Sequence, residues 1–395
     1  MFDILEKNLI RPDEHPYQQI FGEVMEHTDF NLLLNRSKEI YRELEAKKAE
    51  IEKAGKKAGI GVVAWVEPSG SAIPYCKYYG IEVARVVVYP TRGIRVYTNI
   101  TDIGQGTEST FAQIVADILG VGINEVEVVE GDSDITGGGP WSARGVVYGA
   151  SAVAKAAKIL RERLLKVAAK LWKEKEEDLD IADGYVFSRK DSSKEMSIYD
   201  VVNTVYFWPG AHFVLDKEMV EKGEYIFDVQ VPWFSPLTAE NPTSINAAHG
   251  VGIDLALVEI DPRTGMIKVV DYYTVHDTGR MINPAVVEAQ LHGGIVHGIG
   301  RALYEELVYD ENGQLLNPTY MDYLMPTALE VPKINIIHYE IPSQFTELGT
   351  KGIGEGGVTS SPATVAFAVK DALGVVIEEA PIRPEKVIEI LREKS

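Results

Sequence analysis

Apolar residues recur along this chain with two periods, and the switches between them outline the elements. Residues 59–66, 82–88 and 93–99 carry short apolar runs rich in β-branched residues and read as strands. A Gly104-Gln105-Gly106 turn then opens a helix near Thr107. Phe111, Ile114, Val115, Ile118 and Leu119 form its apolar side and Gly120 closes it. Residues 125–129 predict another strand, and the cluster Gly137-Gly138-Gly139-Pro140-Trp141 gives way to a long helix over about 148–175. In the second half, 225–234 reads as a strand, and 252–260 and 266–275 form a hairpin across the turn Asp261-Pro262-Arg263-Thr264-Gly265. Asn283-Pro284 caps a helix running to about 308, with Pro in its first turn. A strand at 333–339, a glycine-rich loop at 349–357 and helices at 362–373 and 383–392 complete the chain. Near the N-terminus, Glu43, Lys47, Glu50 and Lys53 stand at helical offsets and predict a largely exposed helix over 35–57. Groups of strands followed by helices predict an α+β fold of mixed sheets packed with long helices. Three parts are expected: residues 1–57, 58–210 and 211–395.

Composition narrows the function. The 395 residues carry 59 acids against 39 bases, a net charge of −20, which argues against nucleic acid or an anionic membrane as partner. The N-terminus lacks the order of a secretory signal, and no apolar run approaches the roughly 18 residues of a membrane span. A cytoplasmic protein is the expectation. The single cysteine, Cys76, excludes an internal disulfide and a cysteine-ligated iron–sulfur cluster held by this chain.

Several motifs are candidates for chemistry. In Lys351-Gly352-Ile353-Gly354-Glu355-Gly356-Gly357, the spacing of Gly352, Gly354 and Gly357 matches a dinucleotide fingerprint, but no buried strand precedes it and no strand ending in an acid follows. Glycine on both sides of Glu355 lets its carboxylate approach another group, and a partly dry pocket there would suit a general base. The bland alternative is a tight turn with an outward Glu. Gly104, Gln105 and Gly106 stand where a helix start favours phosphate. Arg144, just past the glycine run, suits either an anionic ligand or a structural ion pair. Gln290 lies in a helix with glycines at 293, 294, 298 and 300, so a neighbouring helix or a flat ligand must approach closely. His292 and His297, five residues apart on that helix, are rotated by about 140° and do not form a metal site. His249 and His276 read as structural groups, and no hydrolase nucleophile motif is present.

Five segments, in this order, resemble the molybdenum hydroxylases, the family of xanthine dehydrogenase, aldehyde oxidase and aerobic carbon monoxide dehydrogenase. They are Asp102-Ile103-Gly104-Gln105-Gly106, Val128-Val129-Glu130-Gly131-Asp132-Ser133-Asp134, and His276-Asp277-Thr278-Gly279-Arg280-Met281-Ile282-Asn283-Pro284. Gln290-Leu291-His292-Gly293-Gly294 follows, then Lys351 to Gly357 with Pro362-Ala363. The resemblance runs from about residue 8 to 373 and implies the second molybdopterin-binding domain of that family. It implies that Glu355 is the base beside molybdenum, with Gly354 next to it. Gln105, between Gly104 and Gly106, would lie by the cofactor's phosphate part, Gln290 by the pterin, and Ser142 and Arg144 in an anion-binding loop. The metal would be held by the cofactor's own dithiolene and by no protein side chain. The reaction implied is hydroxylation of an electron-poor carbon, in an aldehyde, an N-heterocycle such as a purine, or carbon monoxide, with oxygen taken from water. Electrons would leave through 2Fe-2S clusters and FAD on partner subunits.

The chain departs from the family in two places. Trp141-Ser142-Ala143-Arg144-Gly145 stands where the family has a small residue, Ser-Arg and then Ser or Thr, and it is about one residue shorter before Gly149. Family subunits are also about twice as long. The expectation is a partner polypeptide supplying the N-terminal half with its substrate loop; Cys76 does not stand at the reactive cysteine found there in carbon monoxide dehydrogenases. Two other readings remain: a scaffold or cofactor-delivery chain of the same fold, and a nicotinamide-dependent dehydrogenase using the loop at 352–357.

Overall fold

The structure is a computed structural model that describes residues 2–71, 81–211, 215–241 and 243–393; Cys76 lies outside the described residues. The chain begins with α1 (Phe2–Asn8), the short ribbon β1 (Tyr17–Gln18) and β2 (Val24–Met25), α2 (Phe30–Lys53) and β3 (Lys57–Ser69). It continues through β4 (Glu82–Val88), β5 (Ile94–Thr98), α3 (Thr107–Leu119), β6 (Val126–Glu130) and α4 (Ala150–Trp172). A small sheet of β7 (Leu179–Ala182), β8 (Tyr185–Ser188) and β9 (Glu195–Ser197) precedes α5 (Ile198–Phe207), α6 (Lys217–Lys222), β10 (Asp228–Trp233) and α7 (Pro236–Glu240). Last come β11 (Ala248–Ile260), β12 (Ile267–Asp277), α8 (Pro284–Leu303), β13 (Lys333–Tyr339), α9 (Gly356–Leu373) and α10 (Pro384–Glu393).

Two mixed sheets of four strands carry the architecture, as expected of the α+β class. One has the order β10-β4-β5-β6 and the other β13-β12-β11-β3. β5–β6 and β12–β13 pair in parallel, and the remaining neighbours in these two sheets are antiparallel. In the first sheet, Val86, Ile94 and Val96 pack beneath Phe111 and Val115 of α3 and Leu160 and Leu164 of α4. In the second, β11 is buried almost throughout, because helices cover both faces, so its sequence reads as an unbroken apolar run rather than an alternation. Leu33, Ile40 and Leu44 of α2 cover one face, against Val62, Ile253 and Leu255. α8, α9 and α10 cover the other through Ile299, Val365, Val369 and Val387.

The ribbon β1–β2, the sheet β7–β9 and helices α1, α5, α6 and α7 have no counterpart in the sequence expectation, and three expected elements differ from it. α2 starts earlier than expected, at Phe30, where Phe30, Leu33 and Leu34 are buried; from residue 35 onward it is mostly exposed, as the Glu–Lys pattern predicts, apart from Ser37, Ile40 and Leu44. α4 starts after a π-helical turn over Gly145–Gly149. α9 begins at Gly356 rather than Pro362, so the proline sits inside the helix and Glu355 becomes its N-cap. α9 also lies directly on β3, since a Cβ at Gly59 or Gly61 would strike the backbone of Ala368 or Thr364. That contact fixes where the loop before α9 emerges.

Candidate functional site

The glycine loops end up on one cleft of about 530 Å³, a size typical of small-molecule sites. The segment before α3 contributes Gly104, Gln105 and Thr107; the segment before α4 contributes Trp141, Ser142 and Ala143. The start of α8 adds Asn283, Val287 and Gln290, and the loop before α9 adds Lys351, Gly354 and Glu355. Residues dispersed over most of the chain are thus brought together because three helices, α3, α8 and α9, begin at the same place. Gln113 of α3 accepts a hydrogen bond from the side chain of Asn283, the N-cap of α8, at 2.9 Å, which ties two of these starts to each other.

The loop before α3 is organised internally. Gly104 and Gly106 adopt φ of 107° and 70°, values that favour glycine. Asp102 accepts from the N–H of Gly104 at 2.6 Å and of Thr107 at 2.9 Å. The Gln105 amide accepts from Ile103 N–H at 2.6 Å and donates to the Thr101 carbonyl at 2.9 Å. Gln105 therefore lines the cleft while its polar atoms brace the loop. Gln290 reaches the same loop from α8, with Nε2 at 3.5 Å from the Gly104 carbonyl. Gly106 does not line the cleft; it caps α3 beside Val286.

The loop before α4 carries backbone strain. Ser142 and Ala143 both take left-handed φ, 56° and 48°, where residues with a Cβ are disfavoured. The Ser142 hydroxyl lies 2.7 Å from that of Ser71, which donates to Asn246. Arg144, one of the two readings of which was an anion contact, turns the other way. Its guanidinium is fully buried and faces Glu82 at 3.3 Å and the Ile81 carbonyl at 2.9 Å, so it serves as a structural ion pair. Burial pushes the Glu82 carboxyl up to about 7, against the opposing charge of Arg144.

Glu355 reaches the cleft at the first turn of α9, between Gly354 and the buried Gly356 and Gly357. The glycine frame is as expected, but the dry pocket is not: within this chain the Glu355 side chain is exposed. The dry carboxylate is its neighbour Glu67 on β3, only 3% exposed, which accepts the Glu355 N–H at 2.9 Å. Burial pushes the Glu67 carboxyl up to about 7; the Glu355 N–H opposes that and the Glu355 charge adds to it. Nothing in the Glu67-Pro68-Ser69 sequence signals this, since it arises from a strand and a loop nearly 300 residues apart.

Beneath the same loop, Lys351 is buried with its ammonium 2.6 Å from Asp277 and 3.1 Å from the His27 carbonyl. Arg280 was quoted only as part of a motif; it lines the cleft and is exposed there. Its position just before the Asn283 cap was the available signal. The histidines take structural partners: His249 Nδ1 meets Glu26 at 2.6 Å, and His276 Nε2 meets His338 Nδ1 at 2.8 Å. His292 Nδ1 lies 2.8 Å from the Glu288 carbonyl of its own helix.

The chemistry of this lining suits an anionic, partly flat ligand. Three helix N-termini and Arg280 present positive potential. At Gly104 a Cβ would meet nothing within 4 Å, leaving bare backbone for close approach. Among the described residues, no group of three or more His, Cys, Asp or Glu is placed to hold a metal ion. Nor does the loop at 352–357 follow a strand: β13 ends at Tyr339, and the connection runs through turns to Thr350. No helix among the described residues is long and apolar enough to cross a membrane.

The profile of the family described as molybdopterin cofactor-binding domain matches residues 36–332. The large subunit of nicotine 6-hydroxylase from Paenarthrobacter nicotinovorans is 34% identical, over 98% of this chain and 47% of that protein. The carbon monoxide dehydrogenase large chain of Hydrogenophaga pseudoflava is 29% identical, over 100% of this chain and 48% of that one. Among solved structures, quinoline 2-oxidoreductase from Pseudomonas putida 86 superposes with a TM-score of 0.87 at 34% identity, covering 99% of this chain and 49% of that one. The chain spans about half the length of the relatives it matches.

Proposed function

This chain belongs to the molybdopterin cofactor-binding domain family, and from that premise we propose that it is the cofactor-holding part of a molybdenum hydroxylase that oxidises an electron-poor carbon with oxygen from water. The observation that carries the reading is the convergence of Gly104, Gln105, Ser142, Gln290, Gly354 and Glu355 on one cleft lined by three helix starts. The loop at Gly104–Gln105 and the N-terminal turns of α3 and α8, with Arg280, would hold the phosphate-bearing portion of the cofactor, and Gln290 its flat portion. When bound, the cofactor supplies two-electron oxidation at the substrate carbon. Glu355 acts as general base: its carboxylate holds the proton released when a water-derived oxygen becomes the nucleophile. Lys351 and Asp277 anchor the loop so that this carboxylate keeps its place.

Among substrate classes, an N-heteroaromatic ring is favoured over an aldehyde or carbon monoxide, because the two relatives at 34% identity are named for nicotine and quinoline. The partners proposed are a polypeptide supplying the half of those relatives not represented here, an iron–sulfur subunit and an FAD subunit. A scaffold role is disfavoured by Glu355, whose exposed carboxylate at the cleft serves no packing purpose.

Metal analysis of the complex purified with its partners tests the reading, and near-stoichiometric molybdenum is expected. Glu355→Gln should leave molybdenum content unchanged and lower kcat by about 10²–10⁴-fold, the range of a lost general base. Turnover retained in that variant overturns the assignment of the base, and an absence of molybdenum overturns the whole proposal.

A further inference from the structure

Behind Glu355 lies a second carboxyl group, that of Glu67. Glu67 sits on β3, only 3% exposed, with its Oε2 in the space beside Gly356 that Trp65 and Ile353 also bound. Its Oε1 accepts the main-chain N–H of Glu355 at 2.9 Å. The Gly356 N–H also bears on this carboxyl group, while Oε2, though buried, accepts no hydrogen bond of good geometry among the described residues. A Cβ at Gly356 would lie 3.1 Å from that oxygen and closer still to Ile353 and Trp65, so glycine there lets the start of α9 press down on the carboxyl group.

The other titratable groups on the surrounding elements are engaged elsewhere. Asp254 of β11 accepts from Trp65 Nε1 at 3.0 Å and from the hydroxyls of Tyr272 and Ser360. His249 of the same strand turns to Glu26, and Lys351 of the loop to Asp277. Among the described residues, Glu355 is the group whose charge acts on Glu67. The coupling is reciprocal, since a free energy between two protonation sites is shared by both.

We propose that Glu67 is a positioning residue for Glu355, clamping its main chain through one carboxylate oxygen and setting, by its own charge state, how readily the Glu355 side chain takes and gives up a proton. The proposal rests on the reading of Glu355 as general base. With Glu67 protonated, Glu355 carries its charge with no like charge behind it. With Glu67 ionised, two carboxylates share one helix start and repel. Burial pushes the Glu67 carboxyl up to about 7.

The direct test needs no cofactor. In the full chain, pH-dependent infrared difference spectra of the carboxylic C=O band should show buried carboxyls titrating near 7. Glu67→Gln should remove one component and leave that of Glu82. Glu355→Gln should move the Glu67 midpoint lower by about one pH unit, because the like charge is gone. An unmoved midpoint overturns the coupling, whatever the enzyme does. Should Glu67→Gln fail to fold, Glu355→Gln still decides the matter, because it leaves Glu67 untouched. In the loaded complex, Glu67→Gln should lose the inflection near pH 7 from the kcat profile with KM unchanged. Glu67→Ala, which also loses the clamp, should lower kcat by a further tenfold or so. A purely structural Glu67 would scale kcat down with the inflection intact, and that result overturns the proposal. Failure of the base assignment is separable: it appears as turnover in Glu355→Gln while the infrared result stands.

Discussion

Arg144 lies between Ala143 and Gly145, both of which line the cleft, yet its own guanidinium turns inward onto Glu82 at 3.3 Å. Both side chains are fully buried, so removing the cation strands an acid in the interior. Arg144→Met is expected to cost about 3–5 kcal/mol in urea denaturation. The loss should be larger at pH 8 than at pH 5, because Glu82, already pushed up to about 7, takes a proton at the lower pH and needs the cation less. An equal loss at both values would mean that charge is not what Arg144 supplies. At this scale the sequence is informative where a residue's type and frame are unusual. Glu355 between glycines and Gln105 between glycines are both found at the cleft. It is silent where environment makes the residue. Arg144 left two readings open until burial chose one, and Glu67 is an ordinary strand glutamate until α9 lands on it.

Helix α8 shows how one element divides its glycines between packing and access. A Cβ at Gly294 would sit 2.9 Å from the Gly357 backbone, so this glycine lets α8 and α9 cross at backbone contact, and one at Gly298 would strike the side chains of Ser361 and Pro362. Gly300 is crowded by Glu305 and Pro326, whereas Gly293 has nothing within 4 Å. Gly293→Ala should therefore stabilise the chain by about 0.5–1 kcal/mol through helix propensity and unfolded-state entropy. Gly294→Ala should destabilise it by about 1–3 kcal/mol, because the backbone it meets cannot move aside without parting the helices. Thermal unfolding of the pair checks this: adjacent, chemically identical changes with opposite sign. The four glycines in the sequence announced that something approaches α8. Which of them meets the partner helix depends on the crossing with α9, and that crossing is set by the glycines of β3. Element boundaries failed for a similar reason. Pro362 is a good first-turn residue, but the acceptor at Glu67 lets the helix begin earlier, at Gly356.

At the scale of the molecule, the strands of the two four-stranded sheets and the α+β class were legible from periodicity, whereas the small strands β1, β2 and β7–β9 and the pairing were not. β3 joins β11 and β4 joins β10, partners well over a hundred residues apart, and local pattern holds no record of them. The N-terminal arm is fastened by equally distant contacts. Glu23 accepts from the N–H groups of Ile245 and Asn246, and Thr28 donates to Asp277. Glu26 takes both the N–H and the ring Nδ1 of His249, at 2.7 and 2.6 Å. The second ring nitrogen stands 3.5 Å from Glu23, too far for a good hydrogen bond but close enough for attraction between charges. Burial works against a charged imidazole here, but the two carboxylates outweigh it and hold the pKa up at about 9, above the ordinary 6.5. A base whose folded pKa is raised contributes stability that is complete below pH 6.5 and is lost as pH rises through 9. The difference corresponds to about 3 kcal/mol. The shifts of Glu67 and Glu82 also remove stability as pH rises, but theirs are spent by about pH 8. Between pH 8 and 10 the His249 contribution is thus separable from both. Stability measured by urea denaturation should fall across that interval more steeply in the unaltered chain than in His249→Gln, and hydrogen exchange should show the arm around Glu26 releasing first. Parallel slopes would mean that the imidazole is neutral in the folded state and that hydrogen bonding alone, without charge, holds the arm to the second sheet.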